Sequence, residues 1–296
     1  MDQKGPMTKP LHNHDPAVLS AYLEQHVTGF TGLADIRRFS NGQSNPTYRI
    51  LDTSGASYVL RAKPPGKLLK SAHAVDREFQ VMKALSTTAV PVPKMLHLSC
   101  DDSPMGTQFL VMDYLSGTVV WDPALPENSK SFRTQAYSEL VKTLAALHEI
   151  NPQAVGLQDF GRPGNYFSRQ VSRWTRQYRA SETQARPDMD WTIDWLSQNL
   201  VADDGQVSIV HGDYRLDNVM FDAHSTKLIA VLDWELSTLG HPFSDLAYQC
   251  MGLRLPQDFL IKGLGALDRT ALGIPDEAEY VAQYCDLRDI APPENW

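Results

Sequence analysis

The stretch His211-Gly212-Asp213-Tyr214-Arg215-Leu216-Asp217-Asn218 follows an apolar run from Val207 to Val210. It sets an aspartate and an asparagine five positions apart on a loop after a strand, a spacing suited to phosphoryl transfer from a nucleotide. The two residue types match that chemistry. A carboxylate such as Asp213 can take the proton from a hydroxyl as its oxygen attacks a phosphoryl group. A neutral amide such as Asn218 lends an oxygen to a hard cation on the phosphates. A second apolar run, Leu228 to Leu232, ends in Asp233, fifteen positions after Asn218. Two adjacent strands would bring both ends to one edge, making Asp233 the second metal ligand. Asp and Asn also end strands in plain turns, and each motif alone has that reading. Both together, in this order, favour a site.

The elements around these loops must position them. Residues 1–14 are rich in Lys, His, Asn and Pro and read as a loose tail. Asp15-Pro16 opens a helix as N-cap and first-turn proline, with Leu19, Leu23 and Val27 on one face. Segments around 34–40, 46–52 and 57–63 read as antiparallel strands joined by hairpins at Asn41-Gly42 and at Asp52 to Gly55. From 72 to 85 the period becomes helical through Val75, Phe79, Met82 and Leu85, and Pro91 and Pro93 close that unit. Strands are expected near 94–99 and 108–114. After Gly117, helices are expected at about 130–149, 165–182 and 189–200, from 243, and near 276–288. Short strands near 207–211, 217–222 and 228–233 interrupt them. The expected class is α+β in two lobes, a small antiparallel sheet lobe over residues 15–114 and a larger, mainly helical lobe over 115–296. Ligands favour the cleft between such lobes.

The totals narrow the function classes. A formal net charge of −8 on 296 residues argues against a nucleic-acid partner. Cys100, Cys250 and Cys285 are isolated, which excludes a disulfide framework and a structural zinc site. The start is polar and no apolar run approaches a membrane span, so a cytoplasmic enzyme without a membrane partner is expected.

Further runs carry a resemblance. They are Asn41-Gly42-Gln43-Ser44-Asn45-Pro46-Thr47-Tyr48, Leu60-Arg61-Ala62-Lys63-Pro64-Pro65-Gly66 and Ala72-His73-Ala74-Val75-Asp76-Arg77-Glu78. With the two motifs above, the chain resembles the aminoglycoside phosphotransferase family, a small-molecule branch of the protein-kinase-like fold. More closely it resembles the kinase domains fused to acyl-CoA dehydrogenases. The resemblance implies ATP and Mg²⁺ as cofactors, Asp213 as catalytic base, and Asn218 and Asp233 as metal ligands. It implies a phosphate-covering turn in which Gly42, Ser44 and Asn45 offer donors, although a glycine-rich G-x-G-x-x-G is absent and a plain hairpin is the other reading. Arg61 stands where the family often has a lysine for the α- and β-phosphates. Lys63, two residues on, shares its strand face, so either could meet phosphate. Glu78 matches the helix glutamate that pairs with that cation. The resemblance places adenine at the Asp113 carbonyl and the Leu115 amide, and makes His211 and Asp245 structural supports of the catalytic loop. It also implies further helices beyond Trp296, completing the second lobe.

The acceptor is less determined. On the helix from Asn165, Phe167, Val171, Trp174 and Tyr178 form an apolar stripe, and Arg169, Arg173, Arg176 and Arg179 a cationic one. Trp191 and Trp195 follow on the next helix. The plain reading is one core face and one solvated face. The sharper reading is a pocket using Arg173, Trp174, Tyr178 and Arg215 for an apolar acceptor with anionic groups, such as a hydroxyacyl thioester of coenzyme A. Such a face would repel a cationic aminoglycoside. Sugar, choline or homoserine kinases and a non-catalytic nucleotide-binding module are the alternatives, and the oligomeric state stays open.

Overall fold

The computed structural model describes residues 14–39, 45–64, 74–259, 261–294 and 296. Helix α1 (Pro16–His26) starts where the Asp15 carboxylate accepts the Ala17 amide at 2.8 Å. Strands β1 (Leu33–Arg38), β2 (Thr47–Asp52) and β3 (Ser57–Ala62), helix α2 (Val75–Leu85), and strands β4 (Met95–Leu98) and β5 (Phe109–Asp113) follow. The five strands form one antiparallel sheet in the order β1-β2-β3-β5-β4.

Alternation along the strands decides what each face meets. Leu60 and Ala62 of β3, with Tyr48, Ile50, Phe109 and Val111, pack against Leu19 and Leu23 of α1. Val59 of β3 and Leu110 and Met112 of β5 take the opposite face and pack with Val75, Val81, Met82 and Leu85 of α2. Arg61 therefore shares the α2 face with Val59. That second core runs without a break into the rest of the chain, through Leu140 and Leu144 to Trp234 and Leu246.

The remainder is mostly helical: β6 (Gly117–Val119), α3 (Lys130–His148), α4 (Tyr166–Ser181), α5 (Pro187–Gln198), β7 (Ser208–Val210), β8 (Val219–Asp222), β9 (Leu228–Val231), β10 (Thr238–Gly240), α6 (Phe243–Arg254), α7 (Arg269–Leu272) and α8 (Glu277–Leu287). β6, β8 and β9 make a three-stranded sheet, and β10 pairs with β7. Single 3-10 turns at Leu216–Asn218 and Trp234–Leu236 precede β8 and follow β9. The architecture is the small antiparallel sheet plus mainly helical part expected of the kinase-like class. β6, β10 and α7 are too short, at three or four residues, to leave a period in the sequence.

The apolar stripe of α4 does not become core. No residue of α4 or α5 is fully buried. Trp174, Trp191 and Trp195 are 53%, 65% and 49% exposed, because the two helices pack chiefly on each other. The plain core-face reading fails for a physical reason: a stripe at helical spacing shows which residues share a face, and only a neighbouring element can bury it. Among the described residues, no helix is long and apolar enough to cross a membrane, and the three cysteines are free thiols.

Candidate active site

The loop between β7 and β8 is fixed from several sides. Both Asp245 oxygens, from α6, accept its amides: Oδ2 takes His211 N at 2.6 Å and Oδ1 takes Gly212 N at 2.8 Å. Gly212 has φ +85°, and a Cβ there would lie 2.7 Å from the Leu236 carbonyl oxygen, so only glycine fits this close turn. The Asp213 amide donates to His211 Nδ1 at 3.2 Å, which leaves the ring proton on Nε2 to donate to the Leu232 carbonyl at 2.8 Å. His211 thus ties the Asp213 loop to the strand end that carries Asp233. Its ring is wholly buried against Tyr214 and Trp234. His211 and Asp245 sit where supports of the loop would be needed.

Asp213 and Asn218 meet directly. The Asn218 side-chain amide donates to the Asp213 carbonyl at 2.9 Å and to Asp213 Oδ2 at 2.8 Å. That bond orients the carboxylate and leaves the Asn218 amide oxygen for another partner. Asp213 Oδ1 is buried without an aligned hydrogen-bond donor. Arg215 Nε lies 3.2 Å from it and 3.1 Å from Asp217 Oδ1. Arg215 is thus brought to Asp213. Burial, and after it the nearby Asp213, push the Tyr248 phenol on α6 up to about 12.

Asp233 stands beside this pair. The Leu232 amide donates to the Asn218 carbonyl at 2.8 Å, so the residue before Asp233 adjoins the end of the first motif. Burial raises the Asp217 carboxyl against the pull of Arg215, and both Asp213 and Asp233 add to that rise. Asp233 itself adopts φ 63°, ψ 58°, a left-handed conformation that Asp tolerates better than most residues. It terminates β9 and turns the chain into the 3-10 turn against which α2 packs.

The cation face of the sheet completes the site. Arg61 Nε is 2.9 Å from Glu78 Oε2, and its Nη2 is 2.5 Å from Asp233 Oδ1 and 3.9 Å from Glu235 Oε2. Of the two candidate cations, Arg61 is the one at Glu78. Lys63 lies just past β3, with its ammonium 3.8 Å from Asp101. Burial pushes the Glu78 carboxyl up to about 7, with Arg61 opposing it and Asp233 adding to it. The Asn45 side-chain amide donates to Glu78 Oε1 at 2.8 Å. That donor is turned inward to Glu78, a role the turn motif did not reveal. Gly42 and Ser44 lie outside the described residues. Asp113, at the end of β5, and Leu115 just after it are half-buried.

Arg173, Trp174 and Tyr178 remain on the surface of α4. The Arg173 guanidinium lies over the Trp174 ring at 5.4 Å, and the Tyr178 hydroxyl donates to Glu182 at 3.4 Å. No contact of these side chains with Asp213 is seen. Sequence reasoning missed Glu235 and Arg77. Arg77 lies one position before Glu78, donates to the Phe160 carbonyl at 2.6 Å and caps the Phe160 ring at 4.2 Å. It ties α2 to the helical part. Glu235 could have been suspected from its place two residues after Asp233. Arg77 had no local signal.

The oxygen donors fit a magnesium ion. An amide oxygen and a carboxylate, on adjoining strand ends, are hard ligands. Among the described residues no group of three or more His, Cys, Asp or Glu could hold a metal. Mg²⁺ keeps waters and phosphate oxygens as ligands, so a site for it needs only one or two protein oxygens. Three carboxylates, Glu78, Asp233 and Glu235, lie within 3.9 Å of the Arg61 guanidinium.

Known proteins resemble the chain over nearly its whole length. Over 297 residues the chain is 43% identical to acyl-CoA dehydrogenase family member 10 of Mus musculus, covering 98% of this chain and 28% of that protein. It is 42% identical over 292 residues to family member 11 of Rattus norvegicus, covering 97% of this chain and 37% of that protein. The chain thus spans about a third of the length of these relatives. A crystal structure of a candidate aminoglycoside phosphotransferase from Ralstonia eutropha superposes with a TM-score of 0.83 at 46% identity, covering 94% of this chain and 82% of that one. The streptomycin–ATP complex of APH(2″)-IIa shares the fold, with a TM-score of 0.60 at 18% identity over 93% of this chain and 82% of that chain. The model of the phosphotransferase enzyme family, APH, matches residues 35–283, and the chain belongs to that family.

Proposed function

We propose that this protein transfers the γ-phosphoryl group of ATP, with Mg²⁺, to a hydroxyl of a small molecule. One observation carries the reading: the Asp213 carboxylate is held on one oxygen by Asn218 and lacks an aligned donor on the other, and the Asn218 carbonyl takes the amide next to Asp233, which itself pairs with Arg61. The streptomycin–ATP complex of a protein with the same fold supports ATP as donor. Asp213 Oδ1 takes the proton of the acceptor hydroxyl as its oxygen attacks phosphorus. Asn218 keeps that carboxylate pointed at the acceptor. Asn218 and Asp233 would hold the metal, which when bound offsets charge on the phosphates. Arg61, braced by Glu78, offers its remaining N–H groups to phosphate oxygens. Asp113 and Leu115 give adenine a backbone edge.

For the acceptor we propose an anionic molecule with an apolar part, of the hydroxyacyl-CoA kind. The relatives are named as acyl-CoA dehydrogenases, and α4 exposes Arg173 beside Trp174. A non-catalytic nucleotide-binding module is the rival reading, favoured by Arg61 standing in the place of a lysine. The deciding assay follows ADP release in Mg-ATP with hydroxyacyl thioesters, amino alcohols and sugars in parallel. Release that requires a thioester and disappears in Asp213→Asn is expected. Release with sugars or amino alcohols alone would overturn the acceptor assignment. Mg-ATP binding without release on any class would overturn catalysis.

A further inference from the structure

Behind the catalytic loop lies a buried chain of polar groups that the phosphoryl-transfer site does not itself use. Arg288, at the end of α8, donates from Nη1 to the Tyr284 hydroxyl at 2.8 Å. The Tyr284 oxygen is 2.6 Å from His148 Nδ1, and His148 Nε2 is 3.2 Å from Asp245 Oδ2. His148 and Asp245 are 3% and 1% exposed, and Tyr284 is fully buried. At its outer end Arg288 Nε meets Glu149 Oε1 at 2.8 Å.

Donor chemistry fixes the direction of every bond. An ionised carboxylate only accepts, so the neutral His148 carries its proton on Nε2 and donates to Asp245. Bare Nδ1 then accepts the Tyr284 hydroxyl proton, and the phenol oxygen accepts from Arg288. Burial keeps this imidazole neutral against the pull of Asp245. Asp245 collects three donors, from His148 and from the His211 and Gly212 amides. These hold it below the usual carboxylate range although burial works the other way. The amides belong to the two residues before Asp213.

We infer that His148 and Tyr284 are positioning residues for phosphoryl transfer, setting the catalytic loop through Asp245. The inference rests on Asp213 being the base. Rotation of the Asp245 carboxylate would move the His211 and Gly212 amides and with them the Asp213 oxygen. Displacement of a reacting group by about 1 Å costs on the order of a hundredfold in rate.

The test uses the full chain and three variants: Tyr284→Phe, His148→Leu and His148→Gln. Gln keeps a donor towards Asp245. Tyr284→Phe and His148→Leu should lower kcat by about tenfold or more while the KM for ATP and the Kd for Mg-ATP stay within about twofold. His148→Gln should recover most of the loss seen with Leu. Imidazole ¹⁵N spectra of the parent should show His148 protonated at Nε2 and bare at Nδ1, and Tyr284→Phe should shift the Nδ1 resonance. Parental kcat in Tyr284→Phe with only a lower Tm would overturn the inference, as would a Nδ1–H tautomer. If His148→Leu does not fold, Tyr284→Phe and the tautomer still decide. A parent that binds Mg-ATP but transfers no phosphoryl group would instead refute the proposed activity, a failure the spectra separate from this one.

Discussion

Glu78→Gln tests whether burial or the neighbouring cation governs the carboxylate at the heart of the site. Glu78 is 1% exposed, with Arg61 Nε 2.9 Å away and the Asn45 amide at 2.8 Å. Burial outweighs both and raises the carboxyl from 4.5 to about 7. In the unfolded chain it titrates near its ordinary value. Between those limits the native state holds a proton that the unfolded state has lost, so stability falls as pH rises from 4.5 to about 7 and levels off above. The gap between 4.5 and about 7 corresponds to about 3 kcal/mol. Gln cannot titrate. At low pH both side chains are neutral, so parent and variant start from a nearly matched baseline. The stability of Glu78→Gln relative to the parent should then rise by about 3 kcal/mol between pH 4.5 and roughly pH 7.5. Urea unfolding of both proteins across that range, without nucleotide or divalent ions, measures it. A difference independent of pH would refute the reasoning. A difference that falls with pH would show that Arg61 holds Glu78 ionised.

Asp213→Asn should cut ADP release with acceptor by at least about a hundredfold while calorimetry finds Mg-ATP affinity nearly intact. Asp233→Asn should weaken nucleotide binding as well, in a manner partly restored by raising the magnesium concentration; binding like the parent at low magnesium would remove Asp233 from the metal site. Arg61→Ala should raise the Kd for ATP by about tenfold or more, the scale of one charge-assisted contact. Lys63→Ala should leave it within about twofold, because the Lys63 ammonium lies 3.8 Å from exposed Asp101. Gly212→Ala should lower Tm and cost at least about 1–3 kcal/mol, since φ +85° and the Leu236 carbonyl both oppose a Cβ.

Much of the site was legible because its chemistry is local in the chain. The five-residue spacing of Asp213 and Asn218 and the strand-end position of Asp233 are properties of single segments, and two short β segments bring them together. Resemblance to the family set Arg61 or Lys63 against Glu78, and strand alternation, which puts both cations on one face, did not choose between them. Tertiary structure decided what lies between such segments. Arg61 pairs with Glu78 because it lies on the paired strand β3, whereas Lys63 follows its last paired residue. The stripe of α4 stayed out of the core because periodicity defines a face without saying what covers it. His148 and Tyr284 are 136 positions apart, yet share a hydrogen bond at 2.6 Å. Nothing in either local pattern marks the other, since a buried polar pair is specified by how α3, α6 and α8 dock. The sequence by itself determined the chemistry of the loop ends. Docking of distant helices decided which polar groups stand behind them, because buried donors and acceptors must find partners wherever the packing leaves them.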